Sequence, residues 1–256
     1  KKKAAQEIDK LRGIIDELNN KQGLQHLLSS VSSEVHEKIE SDEEFRLQFT
    51  SDAEVNAFVV SVDIRRSTEL MLKARSPKLF ADFITTLCGD LEDIFKRNWA
   101  VVDKFTGDGI LAFFPEFFSG PDAGFLALRA AKQANDAFSR RYREFRTSFT
   151  AILNDVGLGT GIDYGKVHQV RMAGALTIVG QPVVYACRMG GAPAGKILMN
   201  QPAFEVISSR YENLTMIDET LISIKAEGDL VAYDVRLLKR DFTPELPSWI
   251  SAMTKE

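Results

Sequence analysis

Two aspartates in the sequence follow apolar, β-branched runs, where a carboxylate calls for an explanation. Asp63 closes "AFVVSVDI", and Asp108 lies in "VVDKFTGDGILAFF". Two carboxylates at one edge of a sheet form an oxygen site of the kind that Mg²⁺ binds, completed by a backbone carbonyl and by the phosphate oxygens of a substrate. Two such ions can activate one oxygen and stabilise a leaving one. Asp108 also has a purely structural interpretation, as a turn residue between two glycines.

The segments around these aspartates predict the elements that position them. The run "AFVVSVDI" has the β-branched, apolar composition of a buried strand. The residues Thr-Gly-Asp-Gly join two further apolar runs as a tight hairpin, because glycine readily adopts the positive φ of such turns. If these strands are neighbours in one sheet, Asp63 and Asp108 meet at its edge.

The rest of the chain alternates helical and extended patterns. Helices are predicted over 76–98, opened by Ser76-Pro77, and over 121–146. Strands follow in "VGLGTGIDYG" and "KVHQV", then a helix in "QPVVYACRMGG", a strand in "KILMN", a helix after Gln201-Pro202, and a closing pair in "MIDETLISIK" and "DLVAYDVRL". This order predicts an α+β fold with a mostly antiparallel sheet.

The N-terminal segment predicts helices that precede the main domain. Between about residues 4 and 24, Ile8, Leu11, Ile15 and Leu18 recur at spacings of three and four, as in the seam of a short coiled coil. The alternative is a helix that packs on its own domain. A second polar helix is predicted over 27–49, ending at "TSDAE". We therefore predict an N-terminal helical dimerisation segment over 1–52 and a globular domain over 53–256.

Composition excludes several classes of protein. Of 256 residues, 45% are hydrophobic and 27% charged, and no run approaches the roughly 18 apolar residues of a membrane span. The basic start leads into helical charge patterning instead of an apolar signal-peptide core. Cys88 and Cys187 suit reduced thiols. The net charge of −4 gives no support to nucleic acid as a general partner. From these features together we expect a cytoplasmic protein that binds neither nucleic acid nor membrane.

Five segments together resemble the class III nucleotidyl cyclase domain. They are "VVSVDIRRST", "DKFTGDGILAFF", "GTGIDYGKV", "VGQPVVYACRM" and "ISIKAEGDLVAYDV", in the family's order and spacing, from about Ala57 to Leu237. The resemblance implies a ferredoxin-like, palm-type domain, and so assigns the catalytic domain to 53–256. The "GGDEF" signature of diguanylate cyclases, which share the palm-like sheet, is absent.

The resemblance also implies roles for individual residues. Asp63 and Asp108, with the backbone carbonyl of Ile64, match the ligands of two divalent cations, Mg²⁺ or Mn²⁺. Arg188 matches the arginine that stabilises charge on the α-phosphate. The remaining nucleotide-binding positions are Ile64, Arg65, Arg66, Ser67 and Thr68 in the turn that receives the triphosphate, Lys104 at the base, and Lys225 at the terminal phosphates.

Departures from the family pattern bear on the substrate. Val184 replaces an asparagine of the ribose and base region, Thr177 replaces the adenine-selecting aspartate, and Arg66 and Ser67 replace a glycine and a phenylalanine. With these departures the chain resembles the pyrimidine cyclases of the bacterial Pycsar antiphage systems. The resemblance implies conversion of UTP, or less favourably CTP, to the cyclic monophosphate, a second messenger for a separate effector.

Two alternatives stay open at this point. The chain could be a conventional adenylyl or guanylyl cyclase, or a catalytically inactive cyclase-like module that binds a nucleotide and dimerises. In the family one domain supplies the aspartates of each site and its partner the arginine. The resemblance therefore implies a homodimer with two composite sites, and the N-terminal helices could set that pairing.

Overall fold

An open β-sheet of eight strands organises the part of the chain that the computed structural model describes, residues 2–50, 52–172, 174–224 and 228–253. The strands are β1 (Glu54–Arg65), β2 (Val101–Phe105), β3 (Ile110–Pro115), β4 (Gly157–Met172), β5 (Ala175–Val179), β6 (Ile197–Met199), β7 (Thr215–Ile224) and β8 (Gly228–Leu237). Their order in the sheet is β2-β3-β1-β4-β6-β8-β7, and β5 folds back on β4. The β4–β6 pair is parallel and the other named pairs are antiparallel, which confirms the predicted α+β class.

Helices cover both faces of this sheet. They are α1 (Lys2–Ser30), α2 (His36–Ser41), α3 (Glu43–Leu47), α4 (Ser67–Leu72), α5 (Pro77–Arg97), α6 (Glu116–Ser119), α7 (Ala123–Glu144), α8 (Gln181–Met189), α9 (Gln201–Arg210) and α10 (Ser248–Met253). None of the helices in the described ranges combines the length and apolarity that crossing a bilayer requires.

Two of the predicted boundaries are wrong for local reasons. The helix expected to end near residue 24 continues to Ser30, and the one expected over 27–49 is split into a 3₁₀ turn, α2 and α3. Ser32 and Asp42 cause the split, because their side chains accept hydrogen bonds from backbone N–H groups of the following turn.

The two strands expected in "VGLGTGIDYG" and "KVHQV" form the single strand β4, and β5 was not predicted.

The sheet separates two hydrophobic cores. On one face α5 and α7 pack through Phe83, Leu87 and small residues of α7 such as Ala130. On the other face the end of α1, with α2 and α3, shares a core with residues of β1, β2 and β3 and with Trp249 of α10. Residues 27–49 therefore pack directly on the sheet, and the division of the chain at residue 52 stays a prediction.

Candidate active site

The ends of β1 and of the β2–β3 hairpin bring Asp63 and Asp108 together. Strand β1 pairs with β3 as far as Val62 and Ile110, so the turn of the hairpin lies beside the last residues of β1. Gly109 makes this approach possible, because a Cβ there would lie 2.1 Å from the carbonyl oxygen of Val62. The predicted hairpin is therefore observed, and its turn places Asp108 against Asp63.

The two carboxylates interact electrostatically. Burial raises the pKa of Asp63, the negative charge of Asp108 raises it further, and Arg65 opposes both. Arg65 Nη1 donates to Asp63 Oδ2 across 3.1 Å, and both side chains remain partly exposed. Asp108 Oδ2 is buried without a hydrogen-bond partner. An uncompensated buried carboxylate oxygen of this kind is costly unless a cation reaches it.

This pair fits a hard divalent cation. One Asp108 oxygen lacks a partner, and the Asp63 carboxylate is bound by a guanidinium that a stronger cation can displace. Within the described ranges there is no cluster of three or more His, Cys, Asp or Glu side chains that could hold a metal. A cation at Asp63 and Asp108 therefore needs further oxygens from backbone or substrate, and the carbonyl of Ile64 is the predicted backbone ligand.

The turn predicted over residues 64–68 is shorter in the structure, because Ile64 and Arg65 are the last residues of β1 and α4 begins at Ser67. Arg66 alone connects the two elements, in a left-handed conformation. Arg66 has φ 62° and ψ 30°, a conformation that costs most side chains about 1–2 kcal/mol relative to the right-handed region. Its guanidinium bonds to Glu69, at 2.6 Å from Nη2, and to the carbonyl of Asn154, which offsets that cost. Ser67 and Thr68 begin α4 here, where the first N–H groups lack intrahelical acceptors.

A second cluster lies where β2 approaches β5. Lys104 Nζ donates to Thr177 Oγ1 across 3.0 Å, so the structure brings together the two residues predicted to face the base. Sequence analysis missed their neighbour Asp103, whose side chain is 1% exposed. The register of β2 on β3 shifts between Val102 and Lys104, which makes Asp103 the extra residue of a β-bulge. A carboxylate inside an otherwise apolar strand was the available signal.

Helix α8 carries the other two predicted residues. Gly161 allows the helix to lie against β4, since a Cβ there would be 2.0 Å from the carbonyl of Ala186. Val184 and Arg188 are four residues apart and share one side of α8. Val184 is 46% exposed, and the guanidinium of Arg188 lies 5.4 Å from the ring centre of Tyr185. Lys225, predicted at the terminal phosphates, lies outside the described residues.

Comparison with solved structures identifies the fold. The chain is similar to the adenylyl cyclase CyaB from P. aeruginosa, with 21% identity, a TM-score of 0.63, and coverage of 75% of this chain and 98% of that one. It is similar to the guanylyl cyclase Cya2, with 18% identity, a TM-score of 0.63, and coverage of 77% and 100%. It is also similar to the guanylate cyclase domain of RhGC from Catenaria anguillulae in complex with GTP, with 19% identity, a TM-score of 0.58, and coverage of 73% and 100%. No protein-family model and no curated protein matches the chain.

The likeness to these three structures shows that the chain has the fold of class III nucleotidyl cyclase domains. The matched region covers about three quarters of this chain and nearly all of each of the three solved chains. The fold class predicted from the sequence motifs is thereby confirmed.

Proposed function

We propose that this chain is a nucleotidyl cyclase that depends on divalent cations and converts a nucleoside triphosphate to its 3′,5′-cyclic monophosphate and pyrophosphate. The observation that carries the proposal is the Asp63–Asp108 pair, in which Asp108 Oδ2 is buried without a partner at the edge of a cyclase-type sheet. Two Mg²⁺ or Mn²⁺ ions bound there would supply activation of the ribose 3′-hydroxyl and charge neutralisation on the triphosphate.

The chain's own residues position the substrate around that pair. The segment from Ile64 to Thr68, where β1 ends and α4 begins, would offer backbone N–H groups to the triphosphate. With a cation on the two carboxylates, Arg65 would be free to bind a phosphate oxygen instead of Asp63. Arg188 stabilises the charge that develops on the α-phosphate. Lys225 is proposed to bind the terminal phosphates.

The active form in this proposal is a homodimer with composite sites. Helix α1 supports it, because Leu11, Ile15 and Leu18 form an apolar stripe at coiled-coil spacing and are 54%, 54% and 60% exposed. The later part of α1 is anchored in the domain through Leu27, and Val31, the residue directly after the helix, is buried in the same core. A second copy pairing along the stripe would bury it, which supports the proposed role of residues 1–52 in dimerisation.

For the base we propose a pyrimidine, with UTP preferred to CTP. The support is the replacement of an amide by the apolar, half-exposed Val184 and of a carboxylate by Thr177. Val184 adds bulk beside the pocket, which favours a single ring. Following the resemblance to the Pycsar cyclases, the cyclic product would act as a second messenger on a separate effector in antiphage defence.

A second candidate is adenylyl cyclase activity, favoured by the Lys104–Thr177 contact. A lysine donor beside a hydroxyl that can accept also complements the N1 and N6 edge of adenine. One of the similar structures is an adenylyl cyclase. The size of the base then separates the pyrimidine candidate from the adenine candidate, since adenine has two fused rings that must fit beside Val184.

The experiment is turnover of UTP, CTP, ATP and GTP by the purified chain with Mn²⁺ or Mg²⁺, with the products identified by mass spectrometry. We expect cyclic UMP to dominate, and Asp108→Ala to abolish turnover without unfolding the protein. Asp82→Ala, on the exposed side of α5, is the matched control and should keep activity. Preference for ATP would establish the second candidate, and no turnover of any of the four would reject the proposed function.

A further inference from the structure

Asp103 is a buried carboxylate with no use in the catalytic scheme above. Its side chain is 1% exposed, and neither of its oxygens accepts a hydrogen bond. A buried carboxylate is compatible with a stable fold only if neighbouring donors or cations compensate the loss of solvent. Asp103 lies next to Lys104, one of the two residues proposed to read the base.

Three donors lie close to the buried carboxylate of Asp103. Lys104 Nζ is 3.4 Å from Oδ2, and the Thr177 hydroxyl and the Ile178 N–H both lower the pKa of Asp103 against the larger effect of burial, which raises it. The bulge in β2 turns Asp103 and Lys104 towards β5 together. Asp103, Lys104 and Thr177 thus form one contiguous polar cluster between β2 and β5.

The hydroxyl of Thr177 can make at most three hydrogen bonds, and two of its possible partners, Lys104 and Asp103, belong to this cluster. Its oxygen already accepts from Lys104 Nζ at 3.0 Å. A hydroxyl has one proton and two lone pairs, and Asp103 is the neighbour that can accept the proton, since a carboxylate is an acceptor only. If the proton turns to Asp103, the group that Thr177 presents to a ligand is its second lone pair.

We propose that Asp103 is a positioning residue for base recognition: it holds the Thr177 hydroxyl so that Thr177 acts on the bound base as a hydrogen-bond acceptor only. The inference rests on the proposed function and deepens it. The base must then present a donor to Thr177 beside an acceptor for Lys104. Uracil meets this with an exocyclic acceptor, O4, and a ring donor, N3–H. Adenine and cytosine carry the donor on the exocyclic amine and the acceptor on the ring nitrogen, so they need a shifted position in the site. The base edge that is read is then set by a residue that never touches the substrate.

The test is a double-mutant cycle on base selectivity, with Asp103→Asn, Thr177→Val and both together. An asparagine keeps the size of the side chain but can donate as well as accept, so the Thr177 hydroxyl loses its fixed direction. We expect Asp103→Asn to reduce the ratio of kcat/KM between the best and second-best nucleotide about tenfold, mainly through KM. Thr177→Val should reduce the same ratio, and the double variant should reduce it no further.

Asp163→Asn is the matched control, because Asp163 is also a buried strand aspartate but bonds to Asn200 away from this cluster. It should leave the ratio unchanged. The inference is overturned if Asp103→Asn leaves the ratio unchanged, or if its effect persists undiminished in the Thr177→Val background. Asp103→Ser serves as a second variant with the same expectation if the asparagine form does not fold.

Failure of the inference and failure of the proposed function give different results. If the wild-type chain turns over none of the four nucleotides with Mn²⁺, the proposed function fails and the inference fails with it. If the wild-type chain discriminates among nucleotides and the variants discriminate equally well, the inference alone fails.

Discussion

Replacing the buried carboxyl of Asp163 should change how the stability of the protein depends on pH. Asp163 lies on β4 and is 2% exposed, and its oxygens accept from the Tyr164 N–H at 2.8 Å and from Asn200 Nδ2 at 3.1 Å. No cation takes part in these bonds. Burial therefore prevails over the two hydrogen bonds and raises the pKa of Asp163 to about 6, from an ordinary value of 3.8.

The sign and size of the effect follow from this difference. The folded state holds the proton of Asp163 more tightly than the unfolded state, so its contribution to stability is fully present below pH 3.8 and is lost as the pH rises through 6. The loss amounts to about 2–3 kcal/mol, where the lower figure allows for screening by nearby solvent. Asp163→Asn cannot ionise and should not show this loss. Its own cost, about 1 kcal/mol for rearranging the bond to Asn200, is independent of pH.

The assay is urea unfolding followed by tryptophan fluorescence, at steps from pH 4.5 to pH 8. Trp249 reports on the core, because it stacks on Phe118 and donates to its carbonyl at 2.8 Å. Relative to wild type, Asp163→Asn should gain stability as the pH rises, with most of the gain between about pH 4 and pH 6.5 and about 2 kcal/mol of it within the range of the assay. A constant difference over this range would refute the reasoning.

Asp122→Asn provides a control of opposite sign. Asp122 is also buried, but its carboxylate is paired with Arg210 at 2.9 Å and accepts from the Tyr211 hydroxyl and the Glu245 N–H. Loss of that charge leaves its partners incompletely satisfied, so the variant should be less stable than wild type at pH 8, by about 3 kcal/mol.

Three further predictions concern the active site and its assembly. Gly109→Ala should lower the midpoint temperature of unfolding and reduce nucleotide turnover about a hundredfold, because its Cβ would overlap the carbonyl of Val62 and displace the hairpin turn that carries Asp108. An unchanged midpoint with full activity would contradict this. An equal mixture of Asp63→Ala and Arg188→Ala chains should recover about a quarter of wild-type activity, since half of the dimers would hold one intact site; mixed dimers without activity would exclude composite sites. Leu18→Asp should raise the dimer dissociation constant in sedimentation experiments and lower activity at low protein concentration, whereas unchanged dimerisation would show that α1 does not form the interface.

Local sequence by itself determined the features that depend on neighbours in the chain. The hairpin around Asp108 follows from glycine's freedom at positive φ, and the start of α5 follows from Ser76, whose side chain accepts from the Leu79 N–H at 3.2 Å. The strand that carries Asp63 near its end follows from its β-branched composition. Because these interactions span only a few residues, the pattern of residue types was enough to predict one carboxylate near the end of a strand, the other in a hairpin turn, and the α+β class.

The tertiary structure decided what depends on contacts between distant segments. Burial of Asp103 arises from a bulge in β2 and from the approach of β5, a strand that the sequence pattern did not predict. Arg66 keeps a left-handed conformation because Glu69 and the carbonyl of Asn154, 88 residues away, hold its guanidinium. Such contacts are fixed by the packing of the whole sheet, and the desolvation of a carboxylate depends on every group packed around it.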